Sequence, residues 1–115
     1  MAYPLTDMGN ARRFLDHYGH LVRYSERLGY YVWNNRYWER SQTRPLHLMS
    51  QAVQDAWNQL VDEGPEVAKV KKEEFKWTLA SQATYRLQSA LAQVRADPSV
   101  TCNPDDFNRD RYLLN

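Results

Sequence analysis

The chain has 115 residues, with 15 Lys and Arg against 14 Asp and Glu, and a formal net charge of +1. This length suits a single domain with one modest core and is too short for a complete nucleotide-driven motor. The lone Cys102 excludes an internal disulfide, and no Cys or His cluster has the spacing of metal ligands. No apolar run approaches the roughly 18 residues of a membrane span, and a signal-peptide layout is missing. We therefore expect a soluble, intracellular protein without a cofactor.

Charge is segregated along the chain although the total is close to zero. Residues 1–44 hold seven Arg against four acids, whereas residues 45–63 hold three acids and no Lys or Arg. Residues 64–97 carry six basic and four acidic side chains. A near-neutral chain of this kind can still present a basic face, which contact with phosphates requires.

The first predicted element is a helix from Thr6 or Asp7 to about Tyr18. Either side-chain oxygen can cap the helix by accepting from an otherwise orphaned backbone N–H. We expect Gly19 to stop this helix in a left-handed conformation. Apolar residues at helical spacing predict a buried stripe of Met8, Ala11, Phe14, Leu15 and Tyr18.

After this helix the hydrophobic period changes to two, which predicts strands. A short strand is expected over residues 22–24. Residues 30–40 are expected to form a hairpin about Asn34 and Asn35, since asparagine tolerates the positive φ of a tight turn. These segments would form a small antiparallel sheet.

A two-residue turn would fix the register of the hairpin. Trp33 would lie opposite Arg36, and Tyr31 would lie opposite Trp38 on the same face. The other face would carry Tyr30, Val32, Tyr37 and Glu39. Aromatic side chains thus occupy both faces, so a face that no helix covers would be an exposed aromatic platform.

Three more helices are predicted after the hairpin. One has Pro45 in its first turn, with Thr43 as a candidate cap, and ends at Gly64. The next runs over residues 65–80, and the last runs from the cap Ser81 to about residue 96. Their expected core residues are Leu46, Met49, Val53, Ala56, Trp57, Leu60, Val67, Val70, Trp77, Leu87, Ala90, Leu91 and Val94. The predicted fold class is α+β, a small antiparallel sheet packed with a bundle of about four helices.

The C-terminal segment, residues 99–115, is turn-rich. Asp105 and Asp106 are interpreted as turn formers, because Asp side chains bond their own backbone. The chain ends on the apolar Leu113 and Leu114, which normally need a partner to bury them. We therefore expect a longer protein to continue beyond this point.

The order of these segments resembles a known family. The phrases in question are LTDMGNARRF at 5–14, HYG at 17–19, LVRY at 21–24, VWNNRYW at 32–38, FNRD at 107–110 and YLLN at 112–115. They are similar to the phage and plasmid primase-helicase family, which is related to the poxvirus primase-helicase. The chain looks like the region just N-terminal to the superfamily 3 helicase motor. The resemblance implies that residues 1–115 are one accessory domain preceding a motor that this chain lacks.

Enzymatic activity is not expected from this domain by itself. The sequence has no Gly-x-x-x-x-Gly-Lys-Ser/Thr phosphate loop, so the nucleotide cradle of a motor is missing. It also lacks the dense cluster of acids with a His by which polymerising primases hold metal. We therefore assign no catalytic and no metal-binding residue, and expect primase and ATP-dependent helicase activity only of the parent protein.

The aromatic hairpin has two interpretations. In the first, unpaired bases stack on Trp33 and Trp38, at about 1 to 3 kcal/mol per base, while Arg23, Arg36 and Arg40 contact phosphates. In the second, the two tryptophans belong to the core between the sheet and the helices. The chain has no Ile, so a domain this small needs its aromatic residues for burial, which favours the second interpretation.

Three lysines, Lys69, Lys72 and Lys76, share one face of the predicted third helix. They form either a phosphate track, with Arg12 and Arg13 as neighbours, or an ordinary solvated face with ion pairs at i, i+3 spacing. The solvated face is the commoner situation for such a stripe.

The sequence thus predicts an accessory domain of a phage, plasmid or mobile-element primase-helicase in DNA replication. It would bind single-stranded DNA or primed template weakly and couple priming to unwinding, in the cytoplasm of a bacterial or archaeal host. Its expected protein partner is the helicase motor of the parent protein or another replisome protein, and no membrane partner is expected. The alternative is a protein-interaction or oligomerisation module without direct DNA contact.

Overall fold

The computed structural model describes residues 3–102, in which a three-stranded antiparallel sheet packs with five α-helices. The strands are β1 (Val22–Ser25), β2 (Gly29–Trp33) and β3 (Trp38–Arg40), in that spatial order. The helices are α1 (Asp7–Tyr18), α2 (Arg44–Asp62), α3 (Pro65–Val70), α4 (Lys72–Ala80) and α5 (Thr84–Arg95). The predicted α+β class is confirmed. Within the described part of the chain, no helix has the length and apolar character that crossing a bilayer requires.

Helix α1 begins where the sequence predicts. Thr6 is the N-cap, and its Oγ1 accepts from the N–H of Gly9 at 3.0 Å. Ala11 and Phe14 are buried, as expected, but Met8 is 69% exposed and does not belong to the stripe. The first turn buries Gly9 and Asn10 instead, because other segments pack on that side.

The segment before α1 crosses the helix at Gly9. A Cβ at this position would overlap the carbonyl oxygen of Pro4, so only a glycine allows the close approach. One turn on, Asn10 Nδ2 donates to the Oγ of buried Ser81 at 2.9 Å. Ser81 Oγ in turn donates to the carbonyl of Trp77 at 2.7 Å, so this polar chain ties α1 to the end of α4.

Gly19 does not stop α1 in a left-handed conformation, and that prediction is wrong. Its φ of −58° is right-handed, and a 3-10 turn, Gly19–Leu21, leads directly into β1. The helix therefore tightens into the turn and needs no left-handed residue at its end.

The register of the hairpin differs from the prediction. Trp33 pairs with Trp38 and Tyr31 pairs with Arg40, so the expected pairs of Trp33 with Arg36 and of Tyr31 with Trp38 are wrong. The strands are joined by four residues, 34–37, and not by two. The loop length moves each β3 partner by two positions and leaves Arg36 outside the sheet.

The side chain of Asn34 explains the longer loop. Its Oδ1 accepts from the N–H groups of Arg36 and Tyr37, both at 3.0 Å. The backbone N–H of Asn34 donates to the carbonyl of Tyr37 at 3.2 Å. Only Asn35 of the pair has a positive φ, of 79°, whereas a two-residue type I′ turn needs two such residues.

One face of the sheet forms part of the core. Val22, Tyr30 and Val32 are buried on that face, and the hydroxyl of Tyr30 donates to the carbonyl of Leu91 in α5 at 3.2 Å. The core cluster around the sheet consists of Ala11, Phe14, Val22, Tyr30, Met49, Val53, Leu87, Ala90, Leu91, Val94 and Val100. The helices therefore cover this face and define the other as the outer face.

Helix α2 follows the predicted pattern closely. Pro45 lies in its first turn, and Met49, Val53, Ala56 and Leu60 are buried, while Leu46 and Trp57 are half-buried. Thr43 occupies the cap position without a side-chain hydrogen bond. Ser41 Oγ accepts from the N–H of Arg44 at 3.2 Å instead.

The predicted third helix is in fact two helices, α3 and α4, which meet at Lys71. This residue has φ −99° and ψ 34°, outside the helical region, and Val70 just before it is 85% exposed. The change of direction lets α4 pack along α2, where the rings of Phe75 and Trp57 meet edge to face at 5.3 Å. Lysine is a good helix former, so the sequence gives no sign of this break.

Helix α5 starts two residues later than predicted. Ser81 is buried at the end of α4, and Ala83 holds the cap position without a side-chain cap. The core residues Leu87, Ala90, Leu91 and Val94 are confirmed as buried.

Beyond α5 the chain returns to the sheet. Tyr24 in β1 donates its N–H to the carbonyl of buried Val100 at 2.7 Å, and Cys102 donates to the carbonyl of Tyr24 at 2.8 Å. Thr101 thereby forms a parallel bridge at the edge of β1. The predicted turn formers Asp105 and Asp106 and the apolar end at 113–114 lie outside the described residues.

Candidate nucleic-acid interface

The outer face of the sheet carries arginines and aromatic rings side by side. The pairing places Arg23, Tyr31 and Arg40 in one row across the three strands, and Trp33 with Trp38 in the next. Since directly paired residues and residues two apart along a strand share a face, these five form the outer face. Arg40 is exposed and the other four are half-buried. Neither tryptophan is fully buried, in contrast to the core interpretation of the hairpin.

The two tryptophans form a close, angled pair. Their ring centroids lie 5.5 Å apart with an interplanar angle of 60°, an edge-to-face arrangement. Such pairs are typically worth about 0.5 to 1.5 kcal/mol beyond the area they bury. The pair therefore has a defined geometry at the end of the hairpin next to its loop.

Arg23 belongs to the same cluster. Its guanidinium carbon lies 4.9 Å from the centroid of the Trp38 ring, within cation–π distance. Its Nη1 also donates to the carbonyls of Gly19 at 3.2 Å and Val22 at 2.7 Å. The arginine predicted to meet phosphate thus has three contacts within the fold.

Arg36 and Arg40 lie beside the tryptophan pair, and within the described residues neither side chain has the hydrogen bonds or the cation–π contact that Arg23 makes. Arg36 is exposed in the loop between β2 and β3, and Arg40 is exposed at the end of β3. Among residues 3–102, neither of them forms an ion pair. Tyr37, which the sequence reasoning does not assign to the site, is 36% exposed in the same loop. The loop position of Tyr37 follows only from the corrected register.

The lysines predicted to track phosphates lie elsewhere. Lys69 is on α3, while Lys72 and Lys76 are on α4, and all three are exposed. The break at Lys71 means that they do not share one face of a single helix. Helix α2 has 19 residues, so it extends about 28 Å from the sheet to α3. The hairpin therefore precedes the N-terminal end of α2, whereas the lysines follow its C-terminal end, with Lys76 beside the Phe75 that packs on Trp57.

Arg12 and Arg13 have different surroundings, and only Arg13 adjoins the segment that carries the lysines. Arg12 Nη2 lies 3.8 Å from a carboxylate oxygen of Asp97, after the end of α5. Arg13 lies over the ring of Tyr3 at 4.5 Å, and burial lowers the pKa of its guanidinium. It lines a cavity of about 310 Å³ between α1, α2 and α4, together with Lys71. Arg13 thus lies near the lysine-bearing segment through Lys71, whereas Arg12 is paired with Asp97.

This cavity offers little free charge to a ligand. Lys71 donates to Glu63 Oε2 at 3.0 Å across its mouth, and that hydrogen bond raises the pKa of Lys71. The carboxylate of Glu74 lines the same cavity and attracts the Arg13 guanidinium. In the part of the chain that the structure describes, no three His, Cys, Asp or Glu side chains cluster as metal ligands.

Comparison with models of known protein families shows to which family the chain belongs. A family model described as D5 N terminal like matches residues 11–115. The chain belongs to this D5 N-terminal-like family. The family is found in phage and plasmid primase-helicases and in poxvirus D5 proteins, which confirms the resemblance noted from the sequence. Neither the curated proteins nor the solved structures gave a match.

In this D5 N-terminal-like domain, the matched region begins at Ala11, so residues 5–10 of the first phrase precede it. Their contacts are those of the N-terminal end of α1: the Thr6 cap, the crossing at Gly9 and the bond from Asn10 to Ser81. These residues hold the fold together and do not touch the outer face of the sheet.

Proposed function

We propose that this domain is a non-catalytic, accessory part of a phage, plasmid or mobile-element primase-helicase and that it binds single-stranded nucleic acid weakly. In this proposal it holds template or primed strand while the parent protein couples priming to unwinding in the host cytoplasm. Membership of the family supports the primase-helicase context. The observation that carries the binding step is the Trp33–Trp38 pair on the outer face, between exposed Arg36 and Arg40.

The aromatic geometry favours single strands. Bases in a duplex are stacked on each other and offer proteins only their edges in the grooves. An aromatic side chain stacks on a base only after that base is unpaired. Trp33 and Trp38 stand at 60° to each other, so the pair does not form one flat wedge for insertion between base pairs.

The charges of the outer face suit a weak, salt-dependent contact. Arg36 and Arg40 are the two exposed cations next to the rings. Each phosphate contact on a single strand contributes about −0.7 to the slope of log K against log salt, so two contacts predict a slope of about −1.4. A modest affinity of this kind fits a domain that assists a motor.

The lysine region is less suited to phosphate. Residues 65–80 contain four Lys and three Glu, so opposite charges alternate there. One of those lysines, Lys71, is already paired with Glu63. Interleaved signs give a weak local potential, because neighbouring charges cancel at the distance of a bound strand.

Substitution of Trp33 tests the proposal. Trp33→Leu keeps an apolar contact for Trp38 but removes the stacking ring, so we expect affinity for a labelled oligothymidine to fall by about 1 to 3 kcal/mol, or about 5- to 150-fold in Kd. Tyr85→Leu is the matched control, because Tyr85 is an exposed aromatic residue on α5. Fluorescence anisotropy at two salt concentrations measures both. Unchanged binding by Trp33→Leu, or a preference for duplex, contradicts the proposal.

A protein-interaction module is the second candidate. Met8, Leu79 and Tyr85 are large side chains that remain exposed, and exposed apolar groups are typical of surfaces that contact another protein. The partner would be the helicase motor of the parent protein or another replisome protein. In that case Met8→Ser with Tyr85→Ser reduces self-association or partner docking in sedimentation experiments, while Trp33→Leu has no effect.

A further inference from the structure

The guanidinium of Arg23 is hydrogen-bonded to backbone carbonyls close to it in the chain. Its Nη1 donates to two carbonyls, Gly19 in the 3-10 turn and Val22 at the start of β1, at 3.2 and 2.7 Å. A guanidinium is planar, with its donors in a fixed fork, so two bonds from one nitrogen restrict the orientation of the whole group. Arg36 and Arg40, in contrast, are exposed.

The same guanidinium lies against the tryptophan pair. Its carbon is 4.9 Å from the centroid of Trp38, and the Trp38 ring meets the Trp33 ring at 5.5 Å. The contacts therefore run in series from the backbone through Arg23 to Trp38 and Trp33. The Arg23 guanidinium thus interacts favourably both with the two carbonyl dipoles and with the negative face of the Trp38 indole.

We propose that Arg23 is a positioning residue that orients Trp38 and, through it, Trp33 for base stacking, and that Arg23 itself does not bind phosphate. This inference rests on the proposed function of the outer face. It divides the arginines of the hairpin into two classes. Arg23 sets the shape of the aromatic site, whereas Arg36 and Arg40 supply the charge that meets the strand.

Arg23→Lys separates shape from charge. Lysine keeps the positive charge but has neither the planar fork nor the stacking surface of arginine. We expect a smaller exciton couplet in circular dichroism, which two close indoles produce, and about 5-fold weaker binding of oligothymidine. Arg27→Lys is the matched control and should change neither measurement, because Arg27 is exposed in the turn between β1 and β2, away from the tryptophan pair. Trp33→Phe and Trp38→Phe should each abolish the couplet and so assign it.

Salt dependence provides the second readout. Arg23→Gln should weaken binding without changing the salt slope, whereas Arg40→Gln should reduce the slope by about 0.7, as expected for one lost phosphate contact. The inference is overturned if Arg23→Lys keeps both couplet and affinity, or if Arg23→Gln reduces the slope as Arg40→Gln does. If Arg23→Gln does not fold, the lysine variant decides. If the unaltered chain binds no oligonucleotide, the proposed function fails, yet the couplet still reports whether Arg23 orients the rings.

Discussion

At the scale of single residues, Tyr30 joins the sheet to the helices. The residue is 7% exposed, and the centroid of its ring lies 4.8 Å from that of Tyr24. Its hydroxyl donates to the carbonyl of Leu91. Burial disfavours the phenolate and raises the pKa of Tyr30 to about 12. The neutral hydroxyl is therefore the form that the fold requires.

This pKa predicts a loss of stability at alkaline pH. The folded state holds the Tyr30 proton more tightly than the unfolded state, whose pKa is about 10. The stabilisation is therefore complete below pH of about 10 and is lost as pH rises through about 12. The two pKa values together predict a loss of about 2 to 3 kcal/mol in unfolding free energy.

Tyr30→Phe provides the measurement. At neutral pH the variant should be less stable by about 1 kcal/mol, because the carbonyl of Leu91 loses its donor. Urea unfolding at pH 8 and pH 11 should show a smaller alkaline loss for the variant than for the unaltered chain. Equal losses for both proteins would mean that other groups cause the alkaline transition.

The glycines near the two ends of α1, Gly9 and Gly19, predict opposite responses to alanine. Gly9→Ala places a Cβ against the carbonyl of Pro4 and should destabilise the fold by about 1 to 3 kcal/mol. Gly19→Ala is the matched control, because its Cβ would lie 3.4 Å from the nearest atom of Leu15 and its φ is −58°. Alanine there should be neutral or stabilise by about 0.4 to 1 kcal/mol. Thermal melting compares them, and a destabilised Gly19→Ala would argue for the left-handed stop.

At the scale of elements, the sequence correctly predicts those features of the fold that depend on local periodicity. The alternation of residues 30–40 and the two asparagines correctly predict a hairpin, and the spacing of Met49, Val53 and Ala56 correctly predicts the buried face of α2. The predicted strand register is wrong because the register depends on how the Asn34 side chain closes the loop. The break at Lys71 is not predicted because it depends on packing between α4 and α2, which local propensity does not encode.

The loop of the hairpin can be tested directly. Asn34→Ala removes the Oδ1 that accepts from the N–H groups of Arg36 and Tyr37. We expect a loss of about 1 to 2 kcal/mol in stability and a weaker tryptophan couplet, because the loop no longer fixes the ends of β2 and β3. Asn35→Gly is the matched control, since glycine adopts the positive φ of this position easily. A couplet unchanged in Asn34→Ala would show that the strands alone set the pair.

At the scale of the whole molecule, topology divides the predicted site residues. The sequence correctly places Trp33 and Trp38 in one hairpin, and the resemblance to the family is confirmed over residues 11–115. It does not reveal that α2 separates the hairpin from Lys69, Lys72 and Lys76. A pattern of lysines along one predicted helix gives no information about its distance from a sheet, because that distance is set by how the helices pack. The two basic regions are therefore rival candidates for the proposed contact with a strand.

Charge reversal at each end of α2 decides between these rivals. Arg36→Glu with Arg40→Glu should abolish oligothymidine binding, because both exposed cations beside the tryptophan pair become repulsive to phosphate. The triple variant of Lys69, Lys72 and Lys76 to Glu should bind almost normally. All five side chains are exposed, so each reversal should cost about a few tenths of a kcal/mol in stability.

Melting and helicity are the controls for both variants, and anisotropy at low salt is the measurement. Loss of binding only in the lysine variant would move the interface to α3 and α4. Binding lost in both would require a strand long enough to span α2, about 28 Å, and oligonucleotides of increasing length would then show a step in affinity. If the unaltered chain and both variants show no binding, the proposed nucleic-acid contact fails, and the exposed apolar side chains of Met8 and Leu79 favour the protein-interaction alternative.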